Sequence, residues 1–182
     1  DKLVKKGHKV TVIDNLITGR LEDLTKSLKK IKFIKQDISK QGNWKKFFNK
    51  IDIVFHLAAL AEIVPSINKP ESYFNTNVKG TLNILENSKK FKVKKFIYAA
   101  SSSCYGIPKK YPTKENEILD PQYPYALTKK MGEDLVLHWA KVYKLNVVSL
   151  RFFNIYGERS RTSSSYGAMF GIFLAQKLKK KP

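Results

Sequence analysis

Short β-branched or apolar runs alternate along the chain with longer amphipathic stretches, the pattern of a parallel sheet covered by helices. Five runs read as strands: Lys9 to Asp14, Ile31 to Gln36, Ile51 to Leu57, Lys95 to Ala100 and Asn146 to Arg151. All are rich in Val, Ile or Phe, and several are near-continuously apolar, as a strand buried on both faces requires. Between them the pattern predicts short helices over Leu21 to Lys29 and Trp44 to Asn49. It predicts long ones over Tyr73 to Phe91, with Val78, Leu82 and Leu85 on one stripe, and over Pro124 to Tyr143, with Leu127, Met131, Leu135 and His138 at helical spacing. Tyr166 to Lys180 reads as one more helix, and Pro65, Pro70, Pro108, Pro112 and Pro121 mark loops. The expected fold class is therefore α/β, a doubly wound parallel sheet with flanking helices.

Both ends read as cut. Asp1 to Lys6 followed by Gly7 has the pattern of a final helical turn with its C′ glycine, leading straight into a strand. In a doubly wound domain the element before that helix is the first strand, whose turn carries the glycine-rich phosphate loop. None of the nine glycines forms G-x-G-x-x-G. The expectation is an internal fragment with the first strand missing, inactive by itself, whose function is that of an intact parent.

Composition narrows the class. With 182 residues, 42% apolar and 27% charged, the chain suits one globular domain rather than a disordered or fibrous protein. No apolar run approaches the roughly 18 residues of a membrane span and Asp1 to Lys6 is no signal peptide, so a soluble cytoplasmic protein without a membrane partner is expected. The single cysteine, Cys104, and three histidines, His8, His56 and His138, offer neither a disulfide framework nor metal-ligand spacing. The net charge of +20 invites a nucleic-acid reading. However, only 4 of the 35 basic residues are Arg, and the lysines are scattered through nearly every segment, which fits a solvated surface and no nucleic-acid partner.

Three features carry chemistry. Asp14 ends the first predicted strand, where a carboxylate can accept both ribose hydroxyls of an adenosine and would repel the extra phosphate of NADP; the same carboxylate would also cap a turn. Tyr125 and Lys129 stand one helical turn apart at the start of the long helix after Pro124, so the ammonium would sit beside the phenol and favour phenolate. Chance alone gives about 1.5 Tyr-x-x-x-Lys pairs in such a composition. The other pair, Tyr105 and Lys109, contains Pro108 and lacks a helical period. The third feature is the run Ser101-Ser102-Ser103-Cys104-Tyr105-Gly106 after the fourth strand, at the sheet end where open α/β proteins bind ligands. A Ser hydroxyl, a Tyr and a Lys converging on one carbon would serve hydride chemistry.

With these residues in place, the sequence resembles the extended short-chain dehydrogenase/reductases, and within them the nucleotide-sugar 4-epimerases of the UDP-glucose and UDP-N-acetylglucosamine type. The matching segments are Val12-Ile13-Asp14-Asn15, Gln36-Asp37-Ile38, His56-Leu57-Ala58-Ala59, Asn75 to Thr81, the serine run through Gly106, Pro124 to Lys129, and Leu150 to Gly157. The resemblance implies a Rossmann-like NAD-binding domain over 1–157 and the start of a substrate-binding region over 158–182. It implies Ser101, Tyr125 and Lys129 as the catalytic residues. Asp14 and Asn15 would hold the adenosine ribose, and Asp37 and Ile38 the adenine. Leu57, Ala58 and Ala59 would line the dinucleotide along the strand the family counts as its fourth. Asn77 would support the site from the long helix, and Phe153 would lie near the nicotinamide. Ser101, Ser102, Ser103, Tyr125 and Asn154 would meet the substrate, a UDP-sugar. The two long helices form a dimer bundle in relatives, which implies a homodimer.

The family's 4,6-dehydratases carry an Asp-Glu pair directly after the catalytic hydroxyl. Here those places hold Ser102 and Ser103, neither of which does acid/base work at neutral pH, so dehydration is disfavoured. The reading is NAD-dependent epimerisation at C4 through a transient 4-keto sugar. The alternatives are reduction or oxidative decarboxylation on the same hydride core, or a non-catalytic nucleotide-binding or nucleic-acid-binding protein. Arg159 and Arg161 are candidates for a phosphate partner or for plain surface, and Ser163 to Ser165 read as a loop. His56 and His138 read as structural, and Cys104 as no nucleophile.

Overall fold

A computed structural model describes residues 1–159 and 169–180. All five expected strands are present: β1 (Val10–Asp14), β2 (Ile31–Lys35), β3 (Ile53–His56), β4 (Lys95–Ser101) and β5 (Val147–Phe152). The helices are α1 (Lys2–Lys5), α2 (Ile63–Asn68), α3 (Pro70–Tyr73), α4 (Gly80–Lys90), α5 (Pro124–Tyr143) and α6 (Met169–Leu178). The part of the last predicted helix before Met169 lies outside the described residues.

The strands form two sheets, β1-β2 and β3-β4-β5. β1 runs parallel to β2 with Val10 opposite Ile31, and β3 runs parallel to β4 with Ile53 opposite Lys95. A doubly wound sheet of order 3-2-1-4-5-6, taken without its first strand, leaves 3-2 and 4-5-6. Those are the two sheets seen here. Among the described residues no strand lies between β1 and β3, and Ile53 and Phe55, which share one face of β3, are exposed.

The chain divides into two compact units, Asp1–Arg151 and Phe152–Pro182. The expected boundary after 157 falls inside the second unit. The core of the first unit joins β4 to the helices that cover it: Phe96, Tyr98 and Ala100 pack with Ile84, Leu85 and Val136, and Trp44 and Phe48 close one side. Each such large apolar side chain contributes about 2–3 kcal/mol by leaving water.

Several local expectations need correction. Leu21 to Lys29 forms two 3-10 turns, Leu21–Leu24 and Leu28–Lys30, neither with a side-chain cap. Trp44 to Asn49 is likewise a 3-10 segment, Asn43–Phe48, held by burial of Trp44 and Phe48. Segments this short gain too few hydrogen bonds to repay helix nucleation, and tertiary packing selects the tighter turn. Pro65 and Pro70 do not mark loops: Pro65 lies in the first turn of α2 and Pro70 opens α3, positions where a missing N–H costs nothing. α3 runs into α4 through a π-helical stretch, Phe74–Lys79, which contains Asn77. α5 has the expected bounds, with extended Tyr123 before Pro124 and left-handed Lys144 closing it.

Candidate active site

The ends of four strands, β1 to β4, and the start of α5 define the site. β4 ends at Ser101, which is buried, and its side chain accepts a hydrogen bond from the Ser103 N–H at 3.2 Å, folding the serine run into a 3-10 turn. That turn is anchored to α5 by the Cys104 thiol, which donates to the Ala126 carbonyl at 3.6 Å. Pro124 starts α5 beside it. The result brings the Ser101 hydroxyl to the Tyr125 phenol, near enough to act on its ionisation.

Burial pushes the Tyr125 phenol up, and the Ser101 hydroxyl pulls it back down. Tyr125 lies in an aromatic pocket, stacked on Tyr123 with ring centroids 6.4 Å apart and edge-on to Tyr73 at the same separation. The Tyr73 hydroxyl is fixed by donating to the Glu62 carbonyl at 2.7 Å.

Lys129 lies one turn along α5 and is 4% exposed. Loss of solvent draws its ammonium down to about 8. Its Nζ sits 4.6 Å from the centre of the Tyr98 ring on β4.

Asn77 joins the end of β3 to α5. Its side-chain oxygen accepts from the Leu60 N–H at 2.9 Å, and its amide donates to the Leu60 carbonyl and the Thr128 hydroxyl, both at 3.0 Å. With every side-chain atom so engaged, Asn77 acts by holding the loop after β3. His56, at the end of β3, meets the Thr81 hydroxyl at 2.8 Å, and burial draws its pKa down to about 3, so it is neutral and structural. Burial pushes the Cys104 thiol up to about 11, which makes it a poor nucleophile.

The remaining expected residues stand at the carboxyl ends of β1, β2 and β3. Asp14 accepts from the Leu16 N–H at 2.7 Å, so it does cap its turn, and a Cβ at Gly19 would lie 3.2 Å from either carboxylate oxygen. Asn15 accepts from Ile17 at 3.1 Å. Asp37 accepts from the Ser39 N–H at 2.9 Å, while the Ile38 side chain is buried in the core and its carbonyl accepts from Asn83 at 2.8 Å. Leu57 is exposed, with Ala58 and Ala59 half-buried after it. Ser102 and Ser103 are half-buried in the turn. Phe153 and Asn154 are exposed and belong to the second unit, and Arg159 is exposed there too. Arg161 and Ser163 to Ser165 lie outside the described residues. Among the described residues no group of three or more His, Cys, Asp or Glu is placed to hold a metal ion.

Sequence reasoning did not single out Tyr98, Tyr73, Thr128 or the pair Glu133 and Arg151. Arg151 on β5 donates to Glu133 at 2.9 Å, to the Tyr105 hydroxyl at 3.0 Å and to the Glu115 carbonyl at 2.8 Å, tying the segment after the serine turn to α5. Glu133 also accepts from the Ser149 hydroxyl at 2.8 Å. A carboxylate one turn beyond Lys129 is the signal that could have found this pair.

The residues present fit the two ends of a dinucleotide. A carboxylate faces a glycine at the end of β1, and a desolvated lysine stands beside a Ser-Tyr pair at the end of β4.

The model of the NAD dependent epimerase/dehydratase family matches residues 1–182. A UDP-glucose 4-epimerase of Lactobacillus helveticus is 35% identical over 161 residues, 87% of this chain and 48% of that protein. The crystal structure of UDP-glucose 4-epimerase with UDP-glucose from Thermotoga maritima superposes with a TM-score of 0.92 at 34% identity, covering all of this chain and 59% of that one. The Thermus thermophilus UDP-glucose 4-epimerase complex with NAD gives a TM-score of 0.88 at 30% identity, covering 100% and 58%. This chain spans about half the length of the curated relatives it matches. It belongs to the NAD dependent epimerase/dehydratase family, whose cofactor is NAD.

Proposed function

We propose that the protein epimerises a UDP-sugar at C4, using NAD, through a transient 4-keto sugar. The observation that carries this reading is the placement of Ser101 at the carboxyl end of β4 beside the start of α5, with its hydroxyl acting on the Tyr125 phenol and Lys129 one turn on. The UDP-glucose bound by the Thermotoga relative and the NAD bound by the Thermus relative support the choice of substrate and cofactor.

Asp14 and Asn15 would hold the adenosine ribose, Asp37 and Ile38 the adenine, and Leu57, Ala58 and Ala59 the length of the dinucleotide, with Phe153 near the nicotinamide. When bound, NAD supplies the acceptor and donor of the C4 hydride. Ser101 would hold the sugar's C4 oxygen, with Ser102, Ser103 and Asn154 making further substrate contacts. Tyr125 takes the C4 hydroxyl proton and returns it. Lys129 would grip the nicotinamide ribose and favour the ionised phenol. Ser102 and Ser103, which cannot act as acid and base, leave no route for eliminating water.

A second copy would pack along the groove lined by Val78, Met131, Asp134, Leu135 and His138, giving a homodimer. No described helix is long and apolar enough to cross a membrane, and we place the enzyme in the cytoplasm.

The test is the gene product expressed from its own start codon to its own stop codon and assayed with UDP-glucose, UDP-N-acetylglucosamine and UDP-glucuronate. The C4 epimer should form without net NADH or carbon dioxide. Accumulating NADH, or released carbon dioxide, would replace this reading with oxidation or decarboxylation.

A further inference from the structure

Lys129 is a cation in a place that strips its solvent. It is 4% exposed, and among the described residues it forms no ion pair. The charged and titratable groups that face it come from four elements. Glu133, on its own helix, is held by Arg151 from β5 and by Ser149. Cys104, in the serine turn, is a protonated thiol at neutral pH, and His56, on β3, is a neutral imidazole. Tyr125, a turn earlier on α5, is a neutral phenol engaged by Ser101.

Beside the attraction of the Glu133 carboxylate, what offsets the lost hydration is the face of Tyr98. The ammonium lies 4.6 Å from its centroid, inside the roughly 6 Å over which a ring quadrupole attracts a cation. The ring cannot turn away. Tyr98 is 1% exposed, its hydroxyl makes a long hydrogen bond of 3.3 Å to the Lys129 carbonyl, and the His56 ring lies 5.7 Å from its own. One residue thus holds both ends of Lys129, backbone and ammonium.

Building on the role given to Lys129 above, we propose that Tyr98 is a positioning residue whose buried ring keeps Lys129 protonated and in place beside the Ser101 and Tyr125 pair. With a midpoint near 8, Lys129 is mostly a cation at neutral pH. Without the ring it would lose its proton in the range where the phenol depends on it.

The test uses the whole gene product carrying lysine labelled with carbon-13 at Cε, with the Lys129 signal identified by its loss in Lys129→Met. The methylene protons beside its Nζ should be displaced upfield by the ring current of Tyr98. Tyr98→Phe should keep that displacement and the titration midpoint. Tyr98→Leu should abolish the displacement and lower the midpoint by about one pH unit, and the limb of kcat that depends on this lysine should move by the same amount. An unchanged midpoint in a folded Tyr98→Leu protein would overturn the proposal. So would an ordinary lysine shift in the unsubstituted protein, a measurement that needs no variant to fold. Because these signals are read without turnover, absence of epimerase activity would count against the proposed function and leave the role of Tyr98 standing.

Discussion

The Tyr98 hydroxyl occupies the space that a side chain at Gly132 would need: a Cβ built there would lie 2.3 Å from it. Gly132 is thus the opening in α5 through which β4 reaches the backbone of the catalytic helix. Gly132→Ala should destabilise the protein by about 2–3 kcal/mol, although alanine is the better helix former. Tyr98→Phe removes the obstructing oxygen and should recover part of that loss, with a coupling of about 1–2 kcal/mol in a double-mutant cycle of denaturant midpoints. Strict additivity would mean that the two residues do not compete for this space. Recovery should be incomplete, because the Asn77 carbonyl lies 3.1 Å from the same point.

Tyr125→Phe keeps the ring stacked on Tyr123 and removes the proton carrier. Turnover by the whole gene product should fall by about 10²–10⁴-fold, while NAD affinity measured by calorimetry stays within a factor of about three. Turnover equal to that of the parent would remove Tyr125 from the reaction. Ser101→Ala deletes the group that lowers the phenol's pKa, so the residual activity should shift its pH dependence upward.

Asp14 carries a prediction about cofactor choice. NAD should bind in preference to NADP, and Asp14→Ser should narrow the difference by removing the charge that repels a ribose phosphate. The Leu16 N–H keeps a hydroxyl acceptor in that variant, so the turn should survive. A parent that prefers NADP would overturn the assignment.

His56 makes folding sensitive to acid. Its pKa falls from 6.5 when unfolded to about 3 when buried, so between those values the unfolded chain binds more protons. Stability should therefore be fully present above pH 6.5 and fall as pH drops toward 3, with a slope approaching 1.4 kcal/mol per unit from this residue. His56→Asn, which retains a partner for Thr81, should flatten that slope in urea titrations. An identical slope in the variant would assign the acid sensitivity elsewhere.

Arg151 and Glu133 form a pair whose side chains are 19% and 4% exposed. Arg151→Met leaves the buried carboxylate unpartnered and should cost about 2–3 kcal/mol, toward the low end for such pairs because the arginine keeps some water. Replacing both residues by Met and Leu should cost less than replacing Arg151 alone, as thermal denaturation would record. If the double variant were the less stable, the pair would be contributing more than the avoidance of a bare charge.

The strands and α5 were legible because their causes are local. Runs such as Lys95 to Ala100 are apolar at nearly every position, and Pro124 after an extended residue starts a helix whatever surrounds it. Pro65 and the segment Leu21 to Lys29 misled because short elements take their form from what they pack on. The Ser101, Tyr125 and Lys129 set was proposed from its spacing and its motif context, and neither showed how its members are arranged. A separation of one helical turn put Lys129 near Tyr125, but nothing in that spacing revealed the Ser101 hydroxyl acting on the phenol or the Tyr98 ring beneath the ammonium.

The sequence by itself determined which elements form, which carry the polar groups, and that those groups stand at strand ends. Only the tertiary structure decided which of them touch. The reach of the Ser101 hydroxyl to Tyr125, and a ring beneath Lys129, depend on how closely β4 and α5 approach, and that distance is set by Gly132, Tyr98 and the packing around them. Periodicity records the face on which a residue lies. It contains nothing about the depth at which two faces meet, and at this site the depth governs which groups act on the phenol and the lysine.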